Sequence, residues 1–536
     1  MPNRPVRRRL VRLLGSLPVI ADFARRLGIE ATLDQLCPSR GNALLTHGQV
    51  ALAIMANRLT QPKAMYQLLT WAQQWGVREV FHLDPALLND DRLGRCLDAL
   101  APQIDAIQGA AIVAAVREFD LDLAQVHWDL TSVVLQGEYP PEEQHPAFAR
   151  PAYGFGGEAH CKQLRVGELV TNDGGVPVWH HSYNGNQADV GTVVAQMEAV
   201  RAHVPLPDCL VIGDSKLLSD PVIGKLRRQQ LHFLAPLPHS AVLDAEFLAL
   251  DPAGWQPLEY VAKRQERLPP EERTHYQGQE VAWEWLNPAT GEIETFRRLY
   301  VISSEERATC RKVRGQQMTR AAAELAKIGA GLGKRQLKTA AQVEVRVERV
   351  LKERRVAPLC QVSVGEEAGA LTLTWAVDPT ALARAEALDG YYVLLTSWPK
   401  AAADSSGLLR KWKQEEQIER RFSDWKGPLR LRPVFVTSNA RMAALVLLLH
   451  LALMLYCLLE REARRQLAAK GRQKVWDLLA GHVDAVPTGE NILRAFEHLF
   501  LIIEENDHGR EYEMSAFSVA QEQLWRLLGI REPVWA

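Results

Sequence analysis

"CLVIGDSKLL" (Cys209–Leu218) contains a continuous apolar run that ends in Gly213 and Asp214. Such a run is typical of a central strand that is covered on both faces of a sheet. Asp214 therefore falls at the carboxyl end of a predicted buried strand, the edge at which open α/β sheets bind their ligands. This stretch favours an α/β fold, which the flanking segments have to complete.

The segments around this strand alternate between strand and helix patterns. "VHWDLTSVVL" (126–135) is rich in β-branched residues, and "QLRVGELVTNDGGVPVWHHSY" (163–183) divides at a hairpin turn in Asn172–Gly175. "GTVVAQMEAVRAHV" and "KLRRQQ" predict helices, and "HFLAPLP" predicts a further strand. We therefore predict an α/β layer arrangement with a mixed sheet over 120–241.

The regions on either side of this core have different patterns. Residues 1–110 read as helices with short connections, and 242–388 reads as a β-rich insertion. In the insertion, "EVAWEWLNPATGEIETFRRLYVIS", "VEVRVERVL" and "LTLTWAV" predict strands, and "ERATCRKVRGQQMTRAAAELAKIG" predicts a basic helix. Basic residues outnumber acidic ones from Arg307 to Arg355. This excess is either a field that follows a phosphate backbone or a solvated charged face.

The α/β pattern resumes after the insertion, over 389–470. "GYYVLLTS" predicts a strand, and "SSGLLRKWKQEEQIERRFSDWK" (405–426) predicts one helix. The apolar stretch Met442–Leu459 is long enough to span a bilayer, but a buried core helix fits a chain of soluble-type segments better. We expect no membrane association. The segment 471–536 reads as helices.

The composition is that of an ordinary globular protein. The 536 residues are 47% hydrophobic and 24% charged, with a formal net charge of -1. These values exclude a disordered or fibrous chain and give no overall preference for nucleic acid. Seven cysteines without a C-x-x-C pair indicate reduced thiols. Because the apolar run near the start is interrupted by Arg12 and no cleavage site follows, we expect a cytoplasmic protein.

Three carboxylates lie in positions that suit a metal site. Asp129 falls within a predicted strand, Asp214 ends another, and Glu419 lies at the edge of a helical stripe formed by Ile418, Phe422, Trp425 and Leu429. Each has a structural alternative, which is an edge strand for Asp129, a helix cap for Asp214 and an ion pair with Lys426 for Glu419. Together they fit Mg²⁺ or Mn²⁺, because hard cations prefer several oxygen ligands.

The sequence resembles the DDE-type transposases of bacterial insertion sequences that carry a β-rich insertion before the Glu. The resemblance rests on "HWDLTS", "VIGDSKLLS", "DGYYVLLTS" and "IERRFSDWKGPLRLRPVFV" in this order. It implies an RNase H-like catalytic core, Mg²⁺ dependence with Mn²⁺ as a substitute, and two-metal catalysis of cut-and-paste transposition. Asp129, Asp214 and Glu419 would be the catalytic and metal-binding triad, and Lys426 would be the lysine of the family signature.

The resemblance also implies the partners. We expect terminal inverted repeats and target DNA as substrates, a homodimer or higher oligomer on DNA, and association with the bacterial nucleoid. Trp412 and Glu415 depart from the family signature, which has Tyr and Arg at these positions. A negative charge at Glu415 repels phosphate, so either Arg420 or Arg421 replaces the missing arginine or the chain is an inactive relative that only binds DNA.

Overall fold

The computed structural model forms two compact units. The first unit contains Met1–Phe233 and Gln414–Ala536, and the second contains Leu234–Lys413. The structure describes residues 8–535 except 141, 143, 155–159, 188–191, 207, 289, 335, 368, 415, 428–435, 437, 480 and 507–508. The whole of segment 242–388 falls within the second unit.

The N-terminal part of the first unit is helical, as the sequence predicts, after one short strand. Its elements are β1 (Arg8–Leu13), α1 (Leu17–Arg26), α2 (Ile29–Leu36), α3 (His47–Thr60), α4 (Leu68–Gln74), α5 (Val77–Phe81), α6 (Asp90–Leu100) and α7 (Ile104–Phe119). Thr46 begins α3 with a capping box, in which its hydroxyl accepts the Gln49 N–H at 3.1 Å and the Gln49 side chain accepts the Thr46 N–H at 3.0 Å. This reciprocal pair fixes the start of the helix.

A mixed sheet follows these helices, also as predicted. The elements are β2 (Gln125–Val134), β3 (Gln163–Thr171), β4 (Pro177–Tyr183), α8 (Thr192–Arg201), β5 (Leu210–Ile212), α9 (Asp220–Arg228) and β6 (His232–Leu237), which ends in the second unit. In the first unit the strand order is β4-β3-β2-β5. The β2–β5 pair is parallel and the others are antiparallel. Gly174 and Gly175 make the β3–β4 turn with φ of 80° and 63°, which explains the glycines there.

The second unit combines an antiparallel sheet with helices. Its elements are α10 (Ala241–Leu248), β7 (Gln256–Leu258), β8 (Tyr276–Leu286), β9 (Ile293–Ser303), α11 (Ser304–Ala330), α12 (Ala340–Glu353), β10 (Cys360–Glu367), β11 (Ala370–Val377), α13 (Pro379–Ala387), β12 (Tyr391–Thr396) and α14 (Ser405–Lys413). The strand order is β6-β12-β9-β8-β7, and β10 and β11 form a separate hairpin. The predicted strands around Asn287 and Pro288 are β8 and β9.

The prediction of a β-rich insertion needs correction, because this region is a mixture of helices and strands. "VEVRVERVL", predicted as a strand, lies in α12. Val343, Val345 and Val347 alternate like a strand, but Val343, Val347 and Val350 also share one face of a helix. Packing against α11 selects the helix, in which these three valines are buried and Val345 is 68% exposed.

The chain then returns to the first unit. The remaining elements are α15 (Glu416–Lys426), α16 (Asn439–Ala469), β13 (Val475–Leu479), β14 (Val483–Ala485), α17 (Gly489–Ala495), β15 (Phe500–Asn506), β16 (Gly509–Met514) and α18 (Val519–Leu528). Two predictions were wrong here. The single helix predicted over 405–426 is two helices, and the C-terminal region contains four strands as well as helices. The apolar run at Phe500–Asn506 forms the strand β15 because β1 and β16 pair with it on either side. Local periodicity does not reveal such pairing.

The α16 helix forms the core of the first unit. Two helical stretches, Asp90–Phe119 and Asn439–Ala469, are long and apolar enough to cross a membrane. The most apolar 18-residue window of the second stretch is entirely buried inside the protein. This is the arrangement that the core-helix interpretation of Met442–Leu459 predicts, since a helix that is apolar on all sides has to be enclosed.

Shortening a core side chain of α16 should strongly destabilise the first unit. Leu453 is fully buried, so Leu453→Ala removes apolar contacts and leaves a cavity. We expect the free energy of unfolding to fall by about 2–5 kcal/mol, measured by urea unfolding. Leu44→Ala is the matched control, because Leu44 lies in the same unit and is 79% exposed. A similar loss in both variants would contradict this role of α16.

Candidate active site

Asp129, within β2, and Asp214, just after β5, lie side by side. In the parallel β2–β5 pair, His127 lies opposite Ile212. Asp129 and Asp214 each follow by two residues, so continuing the register sets them opposite each other. A Cβ atom at Gly213 would lie 3.1 Å from the carbonyl oxygen of Trp128, which shows how closely the chains still run there. The two aspartates predicted from the sequence are therefore neighbours in space.

The Asp214 carboxylate also has a structural contact. One of its oxygens accepts the backbone N–H of Lys216 at 3.0 Å and begins a short 3-10 turn after β5. The other lies 3.5 Å from the ammonium nitrogen of Lys216. The capping role considered for Asp214 is thus present, and the half-exposed carboxylate keeps part of its surface open to solvent. Lys216 is a charged neighbour of the site that was not predicted from the sequence, although it follows Asp214 by two residues in "VIGDSKLLS".

Asp129 is partly buried, and its surroundings oppose its ionisation. Burial raises its pKa to about 6, and a backbone hydrogen bond from Leu130 at 2.7 Å limits the increase. The charges of Asp214 and Glu419 raise this pKa further, whereas Lys216 lowers it. Asp214, just after β5, and Glu419 on α15 therefore both lie close enough to Asp129 on β2 to act on it through their charge.

Glu419 lies on α15, whose apolar stripe packs as predicted. Ile418, Phe422 and Trp425 are buried, while Leu429 lies outside the described residues. The Glu419 side chain is exposed, and within the described residues no ion pair or hydrogen bond engages its carboxylate. Lys426 is exposed, with its ammonium nitrogen 5.9 Å from the centre of the Phe422 ring.

Arg421 is not available to replace a phosphate-binding arginine, which corrects one expectation. Its guanidinium donates to the carbonyl oxygens of Gly175 at 2.9 Å and Gly174 at 2.7 Å, in the β3–β4 turn. It also contacts Asp424 at 2.9 Å and Glu460 at 3.2 Å, and only 4% of its side chain is exposed. Arg421 therefore anchors α15. Trp412, the other departure, packs against Tyr392 in the second unit, and Glu415 lies outside the described residues.

The Glu460 carboxylate on α16 is the counterpart of this anchor. It contacts Arg420 at 3.1 Å and Arg464 at 2.7 Å, and it accepts the backbone N–H of Gly489 at 3.1 Å. Burial alone would raise the pKa of Glu460, but the charges of Arg421, Arg464 and Arg420 lower it. The carboxylate therefore stays ionised while buried. Arg420 keeps 43% of its side chain exposed, so it is more accessible than its neighbour Arg421.

A second buried polar contact lies behind the sheet row that contains Asp129. Glu168 is opposite Asp129 on β3, and His180 is opposite Glu168 on β4. The Nδ1 atom of His450 on α16 lies 3.1 Å from Glu168, and the centres of the His450 and His180 rings are 4.8 Å apart. Burial raises the pKa of Glu168 and, with the charge of His450, lowers that of His180. This contact holds α16 against the strands. His127 is fully buried, as expected for a core histidine.

The donor set fits a hard divalent cation by its chemistry. Asp129, Asp214 and Glu419 offer carboxylate oxygens only, which suit Mg²⁺ and Mn²⁺. Burial is the main cause of the raised pKa of Asp129, and the charges of Asp214 and Glu419, which a cation would neutralise, raise it further. Within the described part of the chain, no three His, Cys, Asp or Glu side chains already stand at ligand spacing. The set therefore has the right chemistry and would have to draw together around an ion.

The sequence matches two family models. Residues 129–455, more than half of the chain, match the family described as "Transposase DDE domain", and residues 10–106 match a domain of unknown function (DUF4277). A comparison with curated proteins found no match. Among solved structures, the chain is similar to a cryo-EM structure of the piggyBac transposase synaptic complex with hairpin DNA, at 9% identity and a TM-score of 0.39. That similarity covers 90% of this chain and 79% of the other.

Replacing Asp129 with asparagine should stabilise the protein when no divalent ion is present. The pKa of Asp129 rises from 3.8 to about 6 on folding, so between these values the folded state holds a proton that the unfolded chain has released. Stability therefore decreases as pH rises through this window and is not regained above it. Above about pH 7 in EDTA, we expect Asp129→Asn to unfold with a free energy about 1–3 kcal/mol higher than wild type.

The difference between Asp129→Asn and wild type should shrink as pH falls below the window, and urea unfolding at several pH values measures it. Asp105→Asn, on the exposed face of α7, is the control and should change little. A stability difference for Asp129→Asn that does not vary with pH would contradict the assigned pKa.

Arg421→Gln should destabilise the first unit far more than Arg420→Gln. Both arginines contact Glu460, but Arg421 is buried and Arg420 is partly exposed. Removing the buried partner leaves the turn carbonyls and a buried carboxylate less satisfied, at a cost of about 3 kcal/mol or more. The exposed partner should contribute less than about 1 kcal/mol. Equal midpoints of urea unfolding for the two variants would show that Arg421 is not the anchor.

Proposed function

This chain belongs to the transposase DDE domain family, and on that premise we propose that it is a DNA transposase. Its reaction would be the cleavage and joining of phosphodiester bonds at insertion-sequence ends, by cut-and-paste transposition. The observation that carries this proposal is that the β2–β5 register sets Asp129 beside Asp214 and that Glu419 lies near enough for its charge to act on Asp129. Three acidic side chains gathered near one lysine, Lys216, oppose the ionisation of Asp129, so a function in binding cations accounts for them.

The proposed catalytic core is RNase H-like, interrupted by the segment between Asp214 and Glu419. Support comes from the mixed sheet β4-β3-β2-β5, with two aspartates at adjacent parallel strands and the glutamate on a following helix. The family match covers 129–455 and so includes Asp129, Asp214 and Glu419. The intervening segment would then be an insertion that serves DNA contacts rather than chemistry.

Asp129, Asp214 and Glu419 would hold one or two divalent ions, with Mg²⁺ expected and Mn²⁺ as a substitute. When bound, such ions stabilise charge on the attacking and leaving oxygens of a phosphodiester. The carboxylates supply the negative charge that retains the ions, and β2 and β5 fix two of them in register. The ammonium groups of Lys216 and Lys426 would contact phosphate oxygens as point charges and orient the scissile strand.

The DNA partners follow from the family. The substrates would be terminal inverted repeats and target DNA, bound by a homodimer or higher oligomer in the bacterial cytoplasm at the nucleoid. The N-terminal helices that match the domain of unknown function would contribute to DNA binding. Arg420, which keeps an exposed side chain near Glu419 in the sequence, is the remaining candidate for the missing signature arginine.

Cleavage of a labelled duplex that carries the element's own terminal repeat tests the proposal. With Mg²⁺ or Mn²⁺, wild type should cut at the repeat end, and Asp129→Ala, Asp214→Ala and Glu419→Ala should each lower the rate about 10²- to 10³-fold or more. Asp105→Ala is the matched control and should cut like wild type. Each variant should still bind the duplex in EDTA, because the carboxylates hold ions rather than DNA.

Two results would contradict the proposal in different ways. Binding without cutting by folded wild type, with both metals, would identify a catalytically inactive DNA-binding relative. Cutting that survives any one of the three alanine substitutions would remove that residue from the triad. Lys426→Ala should weaken cutting less than the carboxylate variants, since Lys426 would position phosphate and not retain the ions.

A further inference from the structure

The α11–α12 segment of the second unit has a hydrophobic core of its own. Ala321, Leu325 and Ile328 of α11 pack against a row of buried valines on α12, and the hairpin β10–β11 covers them. The members of this core are Ala321, Leu325, Ile328, Val343, Val347, Val350, Leu351 and Val356. Because the two helices are packed together, the outer face of α12 has a defined shape.

Part of the basic excess in this segment has a structural use. Arg314 makes a bidentate contact with the buried Asp389, with both distances 2.7 Å, and Arg311 lies 3.7 Å from the same carboxylate. Arg354 pairs with Glu324 between α12 and α11. These arginines secure the helices to the rest of the unit. They therefore do not explain the cations farther along the segment.

A groove of about 1310 Å³ lies beside the α11–α12 connection and the outer face of α12. Its lining residues are Gly331, Lys334, Gln336, Leu337, Ala341, Gln342, Val345, Arg346 and Arg349. This set contains three cations and two amides, and no carboxylate and no aromatic ring. The groove therefore offers hydrogen-bond donors and positive charge along an otherwise small, aliphatic surface.

The part of α12 that lines the groove carries one polar and basic row beside the apolar Ala341 and Val345. Gln342, Arg346 and Arg349 recur at i, i+4 and i+7, so they form one row along the helix. Glu344 and Glu348 each lie two residues from Arg346, about 200° around the helix, and point away from this row. Glu344 and Glu348 are thus on another face, while Glu353, at the end of the basic row, pairs with Arg349.

Two of the three groove cations have no acidic partner. Arg349 lies 3.1 Å from Glu353, but Lys334 and Arg346 make no ion pair within the described residues and are exposed. The N-terminus of α12 adds to this field, since Lys334, Ala341 and Gln342 lie at that end of the helix, where its dipole is positive. The positive charges of Lys334 and Arg346 are therefore available to an anion in the groove.

We propose that this groove binds the sugar–phosphate backbone of duplex DNA, which rests on the proposed function. Lys334 and Arg346 neutralise phosphates, Gln336 and Gln342 donate hydrogen bonds to phosphate oxygens, and Leu337 and Val345 contact the sugars. The lining has no aromatic ring on which unpaired bases would stack, so a duplex fits better than a single strand. The contact holds any sequence, because backbone contacts position DNA without reading it.

The salt dependence of duplex binding tests this contact in the full-length protein. The double variant Lys334→Gln with Arg346→Gln removes two phosphate contacts. We expect the slope of log K against log salt to fall by about 2 and the affinity to fall about tenfold near physiological salt. Fluorescence anisotropy with a labelled duplex in EDTA measures both, without any need for cleavage. The single variant Arg346→Lys should keep most of the wild-type slope, because it keeps the charge.

The matched control removes the same charges elsewhere in the second unit. Lys312 and Arg384 are exposed, make no ion pair within the described residues and do not line the groove. Lys312 precedes the end of α11 by 18 residues, which is about 27 Å along the helix. Lys312→Gln with Arg384→Gln should keep the wild-type slope. An equal slope for the two double variants would overturn the proposal.

Failure of this contact can be distinguished from failure of the transposase proposal. If wild type cuts the terminal repeat and the groove variant binds with an unchanged slope, the groove is not a DNA contact although the chain is a transposase. If wild type binds duplex with a slope that the groove variant lowers but never cuts, the groove assignment stands without the catalytic one. If the variant loses affinity only for an acidic polypeptide, the groove serves a protein partner and the proposal is wrong.

Discussion

The buried Arg421–Glu460 pair is the interaction on which the geometry of the candidate site depends. The Arg421 guanidinium joins three parts of the chain, because it contacts the β3–β4 turn, its own helix α15 and the core helix α16. Glu460 extends the connection to α17 through the Gly489 N–H. Glu419 is two residues from Arg421 on the same helix, so the anchor that fixes α15 on the sheet also fixes the third carboxylate of the site.

The site itself works against stability, and the rest of the first unit compensates for it. Asp129 ionises with difficulty because it is partly buried and lies near two other carboxylates. Such repulsion persists only where packing elsewhere is strong enough to hold the groups together. The enclosed α16 helix provides that packing, and the contact between His450 and Glu168 ties it to the strand beside Asp129. Stability and the candidate function thus make opposite demands on the same sheet.

The charges of the second unit divide into two sets with different uses. One set pairs with carboxylates and supports the helices, and it contains Arg311, Arg314 and Arg354. The other set, Lys334 and Arg346, lines a groove whose described lining residues include no carboxylate. The net charge of the whole chain is -1 and conceals this separation. Composition cannot separate structural arginines from available ones, because the difference lies in which carboxylate each arginine meets after folding.

The sequence by itself determined the elements whose pattern is local. The apolar run before Asp214, the glycines of the β3–β4 turn and the stripe of Ile418, Phe422 and Trp425 each encode their own burial, so strand, turn and helix were predictable. It also placed Asp129 within a strand, Asp214 at the end of another and Glu419 at the edge of the helical stripe.

Only the tertiary structure decided how distant segments pair. Val345 alternates with its neighbours like a strand residue, yet packing on α11 makes its segment a helix, and β1 exists because β15 is beside it. The role of Arg421 and the mutual repulsion of the three carboxylates were likewise undetermined, because burial and charge–charge distance arise when residues far apart in the sequence meet.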